Sequence, residues 1–193
     1  MKFKEKLLEG RPHLVVPVVM LVVGVANGSK GPIMYTEKEI GASVPHWNGR
    51  PAVVYHPDMN SNFCAGAPDV FNQQRVGTIF NARFDAKAKA LKAEAWLDPR
   101  RLAEVDPRVL KAIRAGEIVE VSTGLFSTNE PASGTFNGRE YQAVSKDHRP
   151  DHLAILPDEI GACSIADGAG LCRNELLQFM ECQRALGLPS LMA

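Results

Sequence analysis

Three residues of this chain are of the right type to do acyl-transfer chemistry together: His56, Ser122 and His152. Ser122 follows His56 by 66 residues, and His152 follows Ser122 by 30. Each sits in a short apolar run, PAVVYHP, EIVEVSTGLF and PDHLAILP. A serine hydroxyl needs a base to take its proton, and the base needs a partner to orient it. Two histidines and a serine on rigid strands supply all three roles. Alternation places Glu120, Ser122, Gly124 and Phe126 on one face of a strand, with Val121, Thr123 and Leu125 on the other. Gly124 leaves room for a substrate backbone to approach, and Glu120 is either a site carboxylate or a solvated acid. Taken singly, each residue has a plainer role: a strand serine bonds to backbone, and a histidine at a strand end is half-exposed. Only the combination makes a hydrolase.

Other chemistries fare worse. His148 and His152 are four apart, as in a zinc helix, but Pro150 lies between them, the intervening glutamate is absent and the flanks read as strand. A looser metal set of His56, Asp58 and His152 has no motif behind it. Nothing resembles a phosphate-binding loop or a dinucleotide fingerprint. The expectation is therefore no metal and no cofactor.

The elements that must position these residues are mostly strands. Residues 1–11 read as a short charged helix or a loose arm. A Val-rich core strand follows Pro17 at about 18–26, and Asn27-Gly28 reads as a turn. Thr36 with Glu39 three residues later makes a capping box for a helix over 36–42. Asn48-Gly49 turns into a strand over 51–55 that ends at His56, and 58–69 reads as loop. Residues 74–84 and 88–97 form a hairpin, with Leu91, Ala93, Ala95 and Leu97 on its apolar face. A helical pattern from 99 is split by Pro107 and closed by Gly116. A strand over 117–126, a second hairpin turning at Asn137-Gly138, and a last core strand over 152–156 follow. Residues 174–185 read as a closing amphipathic helix capped by Asn174, with a tail to 193. The whole is one domain over 1–193, mainly β with a few flanking helices (α+β in a looser classification), its hairpins predicting an antiparallel sheet, closed or sandwiched.

Composition agrees with a soluble globular chain: 45% hydrophobic and 23% charged residues, with 22 Lys+Arg balancing 22 Asp+Glu. A net charge of zero excludes the basic field of a nucleic-acid binder. The four cysteines, Cys64, Cys163, Cys172 and Cys182, form no CxxC pair and read as buried thiols. The apolar run 13–26 is too short for a transmembrane helix. Glu5, Glu9 and Pro17 argue against a signal peptide, so no membrane is expected.

The segments MLVVGVANGS, WNGRPAVVYHP, VEVSTGL and DHLAILP, in this order, resemble the prohead maturation proteases of tailed phages. They are more distantly similar to herpesvirus assemblin. The resemblance covers roughly residues 18–170. It implies an assemblin-like antiparallel β-barrel with flanking helices and a Ser-His-His triad. Ser122 would be the nucleophile, His56 the base and His152 the third member. Asp151 and Glu120 are alternative carboxylates for that place. It also implies substrates: phage scaffold and major capsid precursors, and the chain itself. The setting would be an assembling prohead in the host cytoplasm, with activation by crowding or dimerisation. Such relatives carry a Gly-Arg pair after the third histidine. This chain has Asp158, Glu159, Ile160 and Gly161 there. The oxyanion donors are then expected to be backbone N–H groups of Gly161 and Ala162, because a carboxylate opposes developing negative charge. The counter-reading is a non-catalytic capsid-assembly or scaffold protein that retains the fold.

Overall fold

Val-rich runs that pair as strands alternate with proline-led segments that turn into short helices. The computed structural model describes residues 3–28, 31–58 and 64–173. Strands β1 (Lys4–Leu8) and β2 (Arg11–Val22) form a hairpin, as do β3 (Gly24–Gly28) and β4 (Gly31–Tyr35). Helix α1 (Glu37–Ser43), a 3₁₀ turn (Val44–Trp47), β5 (Pro51–Val54) and α2 (Pro68–Gln73) follow. Next come β6 (Arg75–Asp85), β7 (Ala90–Leu97), α3 (Pro99–Val105) and α4 (Pro107–Ala115). The long hairpin β8 (Glu120–Phe136) and β9 (Arg139–Leu156), then β10 (Gly170–Leu171), complete the described chain.

The protein is mainly β with few helices, and one large sheet takes in all ten strands. Its order is β1-β2-β7-β6-β5-β9-β4-β3, with β10 on β2 and β8 on β9. Two features differ from the expected antiparallel, closed sheet. β9 pairs in parallel with both β4 and β5, so the sheet is mixed. The cause is connectivity: β9 returns from the long hairpin to lie between two strands laid down about a hundred residues earlier, each joined to it by a long crossover. Nor is the sheet closed: Val119, the residue before β8, meets β10 only through an isolated bridge to Leu171.

Local signals explain most elements. The Thr36 hydroxyl accepts from the Glu39 N–H and caps α1. Asp98 and Asp106 cap α3 and α4, each followed by proline, and Gly116 ends α4 with a left-handed φ of 75°. Leu91, Ala93, Ala95 and Leu97 are all buried, packed with Val16, Met20, Ile79, Leu102, Ile113, Val121, Leu153 and Ile155. Burying a Val, Leu, Ile or Met side chain of this set is worth about 1.5–3 kcal/mol.

Several expectations are corrected. Residues 4–8 are a strand, because Glu9 and Gly10 both turn with positive φ and fold β1 back on β2. β2 runs straight through Pro17, which falls where one edge of β2 is unpaired, between the β1 ladder ending at Val15 and the β10 ladder starting at Val18. Asn27 and Gly28 are paired strand residues, opposite Pro32 and Gly31. The segments over 117–126, 128–150 and 152–156 are one continuous hairpin, kept together by three register shifts that absorb its twist. Part of the expected loop 58–69 begins α2, where Pro68 starts a helix without a side-chain cap. Cys163 and Cys172 are buried thiols, but Cys64 is exposed. The expected helix 174–185 and Cys182 lie outside the described residues. No helix among the described residues is long and apolar enough to cross a membrane.

Candidate active site

The paired ends of β8 and β9 have two faces. Val121, Leu153 and Ile155 point into the main core. Ser122 and His152 occupy the other face with Ala154, which packs with Val53, Leu156, Ala65 and Val70 in a small second cluster near α2. β5 lies beside β9 with Val53 opposite Ala154. His56 follows β5 by one residue beyond Tyr55, whose φ is 61°. That conformation is strained for a bulky side chain. Three bonds hold it: the Tyr55 N–H donates to Ile155 O at 3.0 Å, the hydroxyl donates to Asp158 at 2.6 Å, and Arg108 donates to the hydroxyl at 2.8 Å. The turn at Tyr55 carries His56 back over the face that bears His152.

The two histidines and Asp151 then form a chain of hydrogen bonds. His56 Nδ1 lies 2.8 Å from His152 Nε2, and His152 Nδ1 lies 2.7 Å from Asp151 Oδ2. The carboxylate sets the protons. An ionised Asp151 only accepts, so His152 carries its proton on Nδ1 and offers the Nε2 lone pair. His56 must then donate from Nδ1, which leaves its Nε2 an unprotonated base. Asp151 is itself fixed: Ala65 N–H donates to Oδ2 at 2.9 Å and Cys64 Sγ to Oδ1 at 3.1 Å.

The electrostatics follow from burial and these bonds. Burial opposes charge on Asp151, but its bonds from Ala65, His152 and Cys64 outweigh it and hold the carboxyl below its usual range. Burial lowers His152, with Asp151 opposing. His56 is lowered to about 4, first by desolvation of the ring and then by charge on His152, although the residue keeps an exposed outer side. Both rings are therefore neutral at pH 7.

Gly124 has a different use from the one expected. Opposite His152 in the ladder, its missing side chain leaves space that the His152 ring fills; a Cβ there would overlap Cε1, Nε2 and Nδ1. The glycine admits the imidazole rather than a substrate.

Ser122, His56, His152 and Asp151 all line one cleft of about 580 Å³, with Gly124, Phe126, Arg149, Glu159, Ile160 and Ala162 among its walls. Ser122 is 7% exposed. Among the described residues its hydroxyl has no hydrogen-bond partner, so the plainer role of bonding to backbone is not taken, and the bond to His56 is not closed either. Such bonds are often long without substrate.

Glu120 lies apart from the relay. Its carboxylate accepts from Gly161 N–H at 3.3 Å and Ile165 N–H at 3.0 Å, tying down the loop after β9. Gly161 is buried against β8, where a Cβ would overlap the Val121 carbonyl, and its N–H is used by Glu120. Ala162 lines the cleft, and among the described residues its N–H has no partner. His148 is spent on Ser145, Nε2 to Oγ at 3.0 Å. Among the described residues no group of three His, Cys, Asp or Glu side chains converges to hold a metal, so His56, Asp58 and His152 do not make one site.

Four contributors carry no sequence signal: Cys64 and Ala65, which hold Asp151, Arg108, which holds Tyr55, and Arg149 in the cleft wall. Cys64, Ala65 and Arg108 reach the site from other parts of the fold, and Arg149 lies on β9 itself, three residues before His152. Comparison of the chain with family models, curated proteins and solved structures finds no match in any of the three.

Proposed function

We propose that the chain is a serine endopeptidase that processes phage scaffold and capsid precursors, itself included, on an assemblin-like fold. The observation that carries this reading is the hydrogen-bonded order Asp151–His152–His56 beside Ser122 in one cleft. His56 Nε2 takes the Ser122 proton as Oγ attacks the peptide carbonyl, and returns it to the leaving amine as the C–N bond breaks. A water then adds to the acyl-serine by the same base, releasing the acid and restoring Ser122. His152 and Asp151 hold the tautomer, and the Asp151 carboxylate offsets, through His152, the positive charge that forms on His56. The Ala162 N–H is the oxyanion donor best supported, since Ala162 lines the cleft and, among the described residues, its N–H is unspent.

The reading is tested by co-expressing the wild-type chain and Ser122→Ala with scaffold and capsid precursors, and reading product masses. Ser122-dependent shortening is expected; processing that continues in Ser122→Ala ends the assignment. Two observations favour the non-catalytic capsid reading instead: among the described residues the Ser122 hydroxyl is unbonded, and the acidic residue Glu159 lines the cleft. Stoichiometric labelling of Ser122 by a fluorophosphonate would exclude it.

A further inference from the structure

The cleft holds two charges that the relay does not use. Arg149 lines it from β9, opposite Phe126, and is exposed. Ser122 is paired with Ala154, so Arg149 sits four residues along β8 from the serine, roughly 14 Å at the rise of an antiparallel strand. Glu159 lines the opposite end, three residues after Leu156, which pairs with Glu120. Among the described residues neither side chain has a hydrogen-bond or ion-pair partner. Other arginines are spent on structure: Arg108 on Asp106 and Asp158, Arg139 on Asp167, Arg101 on Glu104. The remaining acid of the wall, Asp151, is consumed by His152, Cys64 and Ala65. The free charges of the cleft are thus of opposite sign and lie on either side of Ser122 along β8.

The strand between them has an open edge. The Val121 carbonyl faces Gly161, away from β9. Thr123, two residues on, therefore turns its N–H and C=O the same way, into the cleft. An extended chain can pair with those groups and run along β8.

We propose that the cleft selects an extended peptide by charge polarity, with an acidic side chain on Arg149 and a basic one toward Glu159, the cut bond lying between them. This rests on the protease reading above and names its substrate class. Arginine offers a carboxylate a fixed fork of donors, and a charged pair at a partly exposed site is worth roughly a fivefold preference.

The test is cleavage of a proteome-derived peptide library by the wild type, Arg149→Gln, Arg149→Glu and Ser122→Ala, each first shown folded by its thermal midpoint. Wild-type cuts should be enriched about fivefold in Asp and Glu at one position roughly three to five residues from the bond. The enrichment should vanish in Arg149→Gln and turn to Lys and Arg in Arg149→Glu. Ser122-dependent cuts without acidic enrichment, or enrichment that persists in Arg149→Gln, overturn the charge proposal and leave the protease standing. An absence of Ser122-dependent cuts overturns the protease reading, and this proposal with it.

Discussion

The imidazole of His152 occupies the space that a side chain at Gly124 would need, and the two residues are direct partners across β8 and β9. The ring is thereby laid flat on the strand that carries Ser122, with Nε2 turned to His56 and Nδ1 to Asp151. A glycine two residues after the serine positions the histidine, and through it the base.

Gly124→Ala should therefore damage function out of proportion to stability. The methyl group forces the ring or the strand aside, at about 1–3 kcal/mol of folding free energy. The rate of fluorophosphonate labelling at Ser122 should fall about 100-fold, the scale of lost general-base catalysis. A variant that labels at the wild-type rate would show that His152 has no part in activating the serine.

Asp151→Asn should separate tautomer from charge. An amide can donate to His152 as well as accept, so the proton order that leaves His56 Nε2 free is no longer imposed. The expected loss in labelling rate is about 10–100-fold, less than for removing His56 outright, because one histidine still stands between. Equal losses for Asp151→Asn and Asp151→Ala would mean that packing, not proton order, is the role of this residue.

The rate should depend on pH in a way set by His56. Its pKa is lowered to about 4 by desolvation and by His152, so the base stays neutral well below the usual histidine range near 6.5. The labelling rate should hold as pH falls through 6.5 and fall only toward pH 4. In His152→Gln the neighbouring charge is gone, and the acid limb should move to higher pH. Stability follows the same groups. Below about pH 6.5 the unfolded histidines bind protons that the folded ones refuse, so the thermal midpoint should drop between pH 6.5 and 4. His56→Gln should flatten that drop, as followed by circular dichroism.

Arg108→Ala should weaken the site from outside it. Arg108 binds Asp106, Asp158 and the Tyr55 hydroxyl with its forked donors, and Tyr55 holds the positive φ that aims His56. Loss of the fork should slow Ser122 labelling several-fold with little change in melting, since the arginine is exposed. Arg108→Lys should not restore the rate, because a single ammonium cannot reach all three acceptors. Full rescue by lysine would reduce the contact to charge alone.

Much of this protein is written locally. Capping residues at Thr36, Asp98 and Asp106, the break at Pro107, the stop at Gly116 and the turn at Asn137-Gly138 each act on their near neighbours, so each element could be read from a few adjacent residues. The alternation that puts Ser122 opposite Val121 is local too, as is the step from Asp151 to His152. Tertiary structure decided everything that depends on which strand lies beside which. The parallel pairing of β9 with β4 and β5 joins segments about a hundred residues apart, and no local pattern encodes such a crossover. The pairing of β9 with β5 sets His56 against His152 and brings Cys64 and Ala65 onto Asp151, while the antiparallel ladder of β8 and β9 lets the missing side chain of Gly124 admit a ring. The loop after β9 takes Glu120, since a carboxylate binds whichever N–H groups the fold delivers. Residue types were legible along the chain because side-chain chemistry is local; their roles were not, because a role is a distance, and distances between strands are set by the sheet.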